Sequence, residues 1–194
     1  MENRKTRVCP VERAAGLDSK IRRWFQNPRN ILSPHIKEGF TALDLGCGPG
    51  FFTIDIAELV GQSGRVIAAD LQENMLEKLR AKIHGTEFEG RIVLHQCNER
   101  NIGVSEKIDF VLAFYVVHEI PDQESFFNEI STILKPSGRM LIVEPPFHVT
   151  KKAFEATVKK AANSDLIPVS KPSVFLSKAI VLEKSPQEIN PSFI

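Results

Sequence analysis

A glycine-rich turn between an apolar run and a helical pattern is the feature that most limits how this chain can fold. The apolar run covers residues 40–43, the turn Asp44–Gly50 reads DLGCGPG, and the helical pattern begins at Phe51. Glycines take positive φ and let the backbone pass close to a ligand. The N-terminus of the following helix offers free N–H groups to an anion. This order predicts a nucleoside-binding site in an open α/β sheet.

The spacing of the glycines separates two kinds of nucleoside cofactor. A dinucleotide fingerprint, G-x-G-x-x-G, would need a glycine at Phe51 or Thr53, and no G-x-x-x-x-G-K phosphate loop is present either. The segment reads D-x-G-x-G-x-G, which resembles motif I of the class I S-adenosylmethionine (SAM)-dependent methyltransferases. An ordinary glycine turn before a helix is the alternative interpretation.

Apolar periodicity predicts strands and helices that alternate along the chain. Predicted strands cover residues 40–45, 65–70, 91–95, 108–114 and 140–144, and β-like runs follow at 166–170 and 174–183. Asp122 and Thr150 are predicted N-caps of the last two helices. Alternation implies parallel pairing through right-handed crossovers, and the final two strands can form a hairpin. We therefore expect a Rossmann-like three-layer α/β sandwich with a seven-stranded, mostly parallel sheet and an antiparallel C-terminal strand, as the resemblance also implies.

The chain divides into three predicted parts. Residues 1–37 are expected to form an N-terminal arm and a lid helix, 38–185 the SAM-binding methyltransferase domain, and 186–194 a frayed tail. The helix is predicted because Leu17, Ile21, Trp24 and Phe25 recur at helical spacing until Pro28.

Composition excludes several classes of protein. A net charge of +1 gives no support for a nucleic-acid partner. The cysteines Cys9, Cys47 and Cys97 are too far apart for a disulfide framework or a zinc ribbon, so no metal is predicted. The apolar runs are too short to span a bilayer, and the charged N-terminus is not a secretory signal. A cytoplasmic setting is the default expectation, and the oligomeric state stays open.

The resemblance assigns contacts with SAM to residues at the ends of several strands. The acid at the position of Asp44 faces the ammonium group, and the acid at the position of Asp70 accepts from both ribose hydroxyls. Leu71 and Met75 are placed beside the adenine, although Met75 is equally a regular core position. The predicted cofactor-binding residues are Asp44, Gly46, Gly48, Gly50, Asp70, Leu71, Met75, Asn98, Glu99 and Phe114.

One departure from the family concerns the adenine contact. Where the family has an aspartate after strand three, this chain reads Cys97-Asn98-Glu99. Asn98 fits the position best as a neutral acceptor, and Glu99 is the alternative.

The segment after strand four indicates the class of acceptor. Residues 114–122 read FYVVHEIPD and lack the N/D-P-P-Y/F motif of the nucleic-acid and protein amide methyltransferases. Together with the LKPSGRMLI run at 134–142, this segment resembles the small-molecule branch, which includes the ubiquinone/menaquinone biosynthesis enzymes. His118 is the predicted general base, because imidazole titrates near neutral pH. The alternative is that His118 only packs against the loop or hydrogen-bonds to it.

The predicted function is SAM-dependent transfer of a methyl group to a small molecule by in-line displacement. Two rivals remain. A non-catalytic SAM-binding regulator is compatible with the lack of a certain catalytic residue. A nicotinamide-dependent oxidoreductase fits less well, because the glycine spacing is wrong and no Tyr-x-x-x-Lys pair surrounds Tyr115.

Overall fold

The computed structural model describes residues 25–185 of the 194-residue chain. The strands are β1 (Thr41–Leu45), β2 (Arg65–Asp70), β3 (Ile92–Gln96), β4 (Ile108–Phe114), β5 (Leu134–Glu144), β6 (Leu166–Ser170) and β7 (Lys178–Lys184). The helices are α1 (Pro28–Leu32), α2 (Thr53–Val60), α3 (Glu73–Ile83), α4 (Gln123–Ile133) and α5 (Lys151–Ala162), with a 3₁₀ turn at Val117–Glu119. The predicted lid helix up to Trp24 and the tail from residue 186 lie outside the described residues.

All seven strands belong to one sheet in the order β3-β2-β1-β4-β5-β7-β6. Strands β1 to β5 pair in parallel, and β7 runs antiparallel to both β5 and β6. Strand order reverses between β1 and β4, because β2 and β3 lie on one side of β1 and all later strands lie on the other. This is the predicted seven-stranded, mostly parallel sheet.

Helices cover both faces of the sheet, which gives the three predicted layers. In β4, Phe110 and Leu112 join the core cluster that contains residues of α1, α2 and α3. Val111 and Ala113 join the second cluster, with residues of α4 and α5. Because successive side chains of a strand point to opposite faces, residues 110–114 of this central strand, which lies between two helical layers, are apolar on both faces.

Two elements differ from the sequence prediction. Strand β5 begins at Leu134 rather than residue 140, and its pairing with β4 shifts register between Ile108 and Phe110. Ser137 has φ 60, so the Lys-Pro-Ser-Gly segment forms an irregular strand entry rather than a separate loop. Strand β7 begins at Lys178 rather than residue 174.

Helix caps explain where three helices begin. The predicted caps are confirmed: Asp122 Oδ1 accepts from Ser125 N at 3.0 Å, and Thr150 Oγ1 accepts from Ala153 N at 3.1 Å. Pro28, predicted only as the end of a helix, also begins α1, where Asn27 is the N-cap. Proline suits a first helical position, because the N–H that it lacks has no partner there. Within residues 25–185, none of the helices has the length and apolar character to cross a membrane.

We expect core and surface phenylalanines to differ sharply in their effect on stability. Phe127 is fully buried in the cluster beneath α4, whereas Phe147 is 91% exposed. Phe127→Ala should lower the free energy of unfolding by about 3–5 kcal/mol, because it removes a large buried side chain and leaves a cavity. Phe147→Ala should change it by less than about 0.5 kcal/mol. Urea denaturation measures both values, and equal losses would contradict this account of the core.

Candidate functional site

A cavity of about 900 Å³ lies at the carboxyl ends of the parallel strands, next to the point where strand order reverses. Its wall is built from the segments that follow β1, β2, β3 and β4. Ligands of open α/β sheets bind at this place, and small-molecule sites occupy about 300–1,000 Å³. The cavity is therefore the candidate site.

Most of the predicted cofactor residues line this cavity. They are Asp44, Gly46, Gly48, Asp70, Leu71, Met75, Asn98, Glu99 and Phe114. Gly50 is not in the wall: a Cβ there would lie 2.5 Å from Leu79 Cδ1, so this glycine lets the turn pack on α3. The sequence allowed Met75 to be a core residue or a residue beside the cofactor. The structure is compatible with both, because Met75 is 2% exposed in the core and also lines the cavity.

Gly46 and Gly48 serve different purposes within the loop. Gly46 has φ 70, and a Cβ on it would lie 2.9 Å from Val116 Cγ2. Gly48 has φ 53, but a Cβ on it would meet no protein atom within 4 Å. Packing of the protein requires the first glycine, whereas the second presents a bare backbone face to the cavity. An open cradle of this kind suits the close approach of a ligand.

Asp44 ties the end of β1 to the start of α2. Its side chain is 3% exposed, and Oδ2 accepts from Thr53 Oγ1 at 2.6 Å. Thr53 is the first residue of α2 and is fully buried. This bond fixes the direction in which the glycine loop leaves the strand.

Asp70 holds the same loop from the neighbouring strand. Its Oδ2 accepts from Gly48 N at 2.8 Å, and Oδ1 accepts from Gln72 N at 2.9 Å. Burial raises the pKa of Asp70, and these backbone hydrogen bonds oppose part of that rise. Each carboxylate oxygen can accept two hydrogen bonds, so Asp70 keeps acceptor capacity towards the cavity.

The segment after β3 contains two candidate contacts for the adenine, Asn98 and Glu99, which differ in whether their oxygen atoms already accept hydrogen bonds. Asn98 Oδ1 already accepts from Arg100 N at 2.9 Å and Asn101 N at 3.0 Å, which uses its two lone pairs in a local turn. The carboxylate of Glu99 is exposed at the wall and makes no hydrogen bond within the described part of the chain. Glu99 is thus the better-placed acceptor of the two, and both assignments stay predictions.

Tyr115 contributes to the wall more than the sequence indicated. It follows β4 with φ 61, a conformation uncommon for a non-glycine residue, and its ring lies 4.4 Å from that of Phe114. Gln26 Nε2 donates to Tyr115 Oη at 2.6 Å, and Tyr115 Oη lies 2.6 Å from Ser177 Oγ. Ser177 Oγ in turn donates to Phe175 O. This chain of hydrogen bonds joins three segments that are far apart in sequence, so no local pattern signals it.

His118 is held by a buried acid on the next strand. Its Nδ1 lies 2.6 Å from Glu144 Oε2, and its backbone N–H donates to Glu144 Oε1 at 2.9 Å. Glu144 is 1% exposed. The hydrogen bond to Glu144 raises the pKa of His118, against the opposing effect of partial burial. The cavity wall includes Glu119 but not His118, so the predicted base lies beside the cavity and not in its lining.

Neither thiol at the site is set up for metal or nucleophilic chemistry. Cys47 and Cys97 both line the cavity. Burial raises the pKa of Cys97 to about 12 and that of Cys47 well above its ordinary value, so both stay protonated. Across residues 25–185, no group of three or more His, Cys, Asp or Glu side chains is placed to hold a metal ion.

Replacement of Glu144 tests the cause of the raised pKa of His118. Glu144→Gln removes the carboxylate charge but keeps an oxygen for the His118 N–H, so the pKa of His118 should fall. NMR titration of the histidine rings measures it, with His118→Gln used to assign the signal. Glu124→Gln, an exposed change on α4, should leave the pKa unchanged. An unchanged pKa in Glu144→Gln would contradict the assignment.

Comparison with known proteins identifies relatives of this chain. The sequence profile of a family described as methyltransferase domain matches residues 36–183. The demethylmenaquinone methyltransferase of Lactococcus lactis subsp. lactis is 38% identical over 125 residues, which cover 62% of this chain and 49% of that protein. The ubiquinone/menaquinone biosynthesis C-methyltransferase UbiE of Pseudoalteromonas translucida is 29% identical over 131 residues, which cover 66% and 52%. The chain spans about half the length of these curated relatives.

Solved structures share the fold. The crystal structure of a SAM-dependent methyltransferase from Aquifex aeolicus superimposes with a TM-score of 0.80, covering 91% of this chain and 100% of that one. At 21% identity this likeness is one of fold. The resemblance that begins at the glycine loop is confirmed. Because the matched profile runs from before β1 into β7, the chain belongs to the methyltransferase-domain family.

Proposed function

We propose that the cavity binds SAM and that this domain transfers its methyl group to a small-molecule acceptor. The main support for this proposal is the hydrogen bond from the Gly48 N–H to Asp70. This bond places a glycine backbone without a covering side chain and a buried acceptor side by side in the cavity wall. The names of the curated relatives support a quinone-type acceptor as the first to be tested. When bound, SAM supplies an electrophilic methyl group on a sulfonium centre.

Each part of the wall has a proposed role in holding SAM. Asp70 accepts from the ribose hydroxyls, and Leu71 and Met75 flank the adenine. Glu99 or Asn98 accepts from the adenine amino group. Asp44 faces the ammonium group, while Gly46, Gly48 and Gly50 shape the loop that brings the α2 N-terminus to the carboxylate. Phe114 supplies an apolar surface next to the reacting methyl.

His118 is the proposed proton acceptor for an acceptor molecule that loses a proton. Glu144 fixes the ring through Nδ1, which leaves Nε2 as the basic atom. The raised pKa of His118 makes Nε2 a stronger base once it is deprotonated. The same shift means that its basic form appears at a higher pH than for an ordinary histidine.

The setting of the reaction and the bounds of the domain complete the proposal. We propose a cytoplasmic enzyme without a nucleic-acid partner. The net charge of +1 supports the second part, because nucleic-acid binders usually carry a basic patch. The domain is proposed to cover residues 38–185, with residues 1–37 as an arm and lid. Gln26 supports the second assignment, because its bond to Tyr115 joins this arm to the cavity wall.

Binding experiments test the proposed cofactor. Calorimetry should show that the protein binds SAM and S-adenosylhomocysteine but not NAD. Asp70→Asn should weaken both ligands by about 10- to 100-fold, because it removes a charge-assisted acceptor. Glu73→Gln, an exposed change at the start of α3, should leave binding unchanged. Binding of NAD without SAM would refute the proposal, and SAM binding without any methylated product would favour a non-catalytic regulator.

Replacement of His118 tests its role as proton acceptor. With demethylmenaquinone as acceptor, His118→Gln should lower kcat/KM by about 10²- to 10⁴-fold and leave the SAM Kd unchanged. In the unmodified protein, kcat/KM should rise with pH through the raised pKa of His118, above the ordinary value of about 6.5. His84→Gln, with a side chain 80% exposed, is the matched control. A His118→Gln variant with full activity would show that the histidine is only structural.

A further inference from the structure

The side chains that line the cavity carry an unequal set of charges. Among the described residues, the acids of the lining are Asp44, Asp70, Glu99, Glu119, Asp122 and Glu129, and the base is Arg100. The described part of the lining therefore carries an excess of negative charge, although the whole chain has a net charge of +1. A cavity with charges of one sign raises the local concentration of ligands with the opposite charge.

Most of these acids already hold the protein together. Asp44 and Asp70 fix the glycine loop, and Asp122 caps α4. Glu129 accepts from Ile102 N at 2.9 Å and from Gly103 N at 2.7 Å, which anchors the segment after β3. Glu99 lies exposed at the wall, where water screens its charge. These five acids therefore have a structural role or a solvated position.

Glu119 is the exception. It is partly buried in the 3₁₀ turn after β4, and within the described residues its carboxylate has no hydrogen bond and no close ion pair. Burial raises the pKa of Glu119; the charge of His118 lowers it, and the charges of Glu144 and Asp70 raise it again. Partial burial of a carboxylate without a hydrogen bond or ion pair is unfavourable. Groups in such surroundings cluster at functional sites.

We infer that Glu119 selects the charge of the methyl donor, because its carboxylate stabilises the positive sulfonium of SAM and gains nothing from the neutral thioether of S-adenosylhomocysteine. This inference rests on the proposed function. In methyl transfer an electron pair of the acceptor forms the new bond to the methyl carbon. The bond between sulfur and that carbon breaks and leaves its electron pair on sulfur, so the donor loses its positive charge. Glu119 therefore holds the substrate form of the donor more tightly than the product form, which favours release of the product.

Comparison of two ligands separates Glu119 from the other acids. Asp70 is proposed to contact the ribose, which SAM and S-adenosylhomocysteine share, so Asp70→Asn should weaken both ligands alike. Glu119 responds to the charge by which they differ. The ratio of the two dissociation constants is therefore the quantity that reports on Glu119.

Calorimetry with Glu119→Gln tests the inference. The variant should bind SAM about 3- to 10-fold more weakly than the unmodified protein, because an attraction between opposite charges at a partly exposed site is lost. S-adenosylhomocysteine should change by less than about 2-fold. Sinefungin, whose amine carries a positive charge in place of the sulfonium, should follow SAM. Glu119→Asp, which keeps the charge, should preserve much of the preference.

The controls make each result decisive. Glu124→Gln removes an exposed acid outside the cavity wall and should not change the ratio of the two constants. Equal weakening of SAM and S-adenosylhomocysteine in Glu119→Gln would overturn the inference, as would no change in either ligand. Thermal unfolding of each variant separates loss of binding from loss of fold. If the unmodified protein binds neither ligand, the proposed function fails first and this inference falls with it.

Discussion

The cavity at the carboxyl ends of β1 and β2 depends on one interaction, the hydrogen bond from the Gly48 N–H to the Asp70 carboxylate. Gly46 N and Cys47 N also donate to Ala69 O, so the loop after β1 is attached to the end of β2 along its whole first half. A buried acid without these donors would carry the full cost of desolvation. The loop and the acid therefore stabilise each other, and together they form the wall that a nucleoside can approach.

A second carboxylate organises the other side of the edge. Glu144 at the end of β5 holds both the ring and the backbone of His118, which follows β4. The acid-centred cluster on β1 and β2 thus forms part of the cavity wall, and the cluster of His118 and Glu144 at the ends of β4 and β5 lies beside the cavity. The first is proposed to hold the methyl donor and the second to handle the acceptor and its proton. The cavity lies at the edge where strand order reverses between β1 and β4, which is where open α/β sheets form a crevice.

Local sequence patterns predicted the fold and the residues of the first cluster, because each strand, helix and glycine turn has a recognisable pattern within its own short stretch of the chain. The glycine spacing, the acid at Asp70 and the apolar run of β4 each carry their own signal. Contacts between separate segments have no such local signal. Examples are the hydrogen bonds that link Gln26, Tyr115 and Ser177 and the pair of His118 with Glu144, which form only once the sheet has formed. The start of β5 is not predictable for a related reason. Proline and glycine in its first residues indicate a break in the sequence pattern, whereas pairing with β4 continues the strand.

The field inside the cavity also bears on the acceptor, which the fold alone does not define. An anionic acceptor would approach Glu119 and Asp122, and Arg100 is the one cation that residues 25–185 contribute to the lining. A neutral or cationic acceptor meets no such repulsion. Proton loss from a neutral acceptor would then leave a negative charge near these acids, which is unfavourable unless the methyl group arrives as the proton leaves. His118, which lies beside the cavity and is held by Glu144, is the group that we propose to take that proton in the same step.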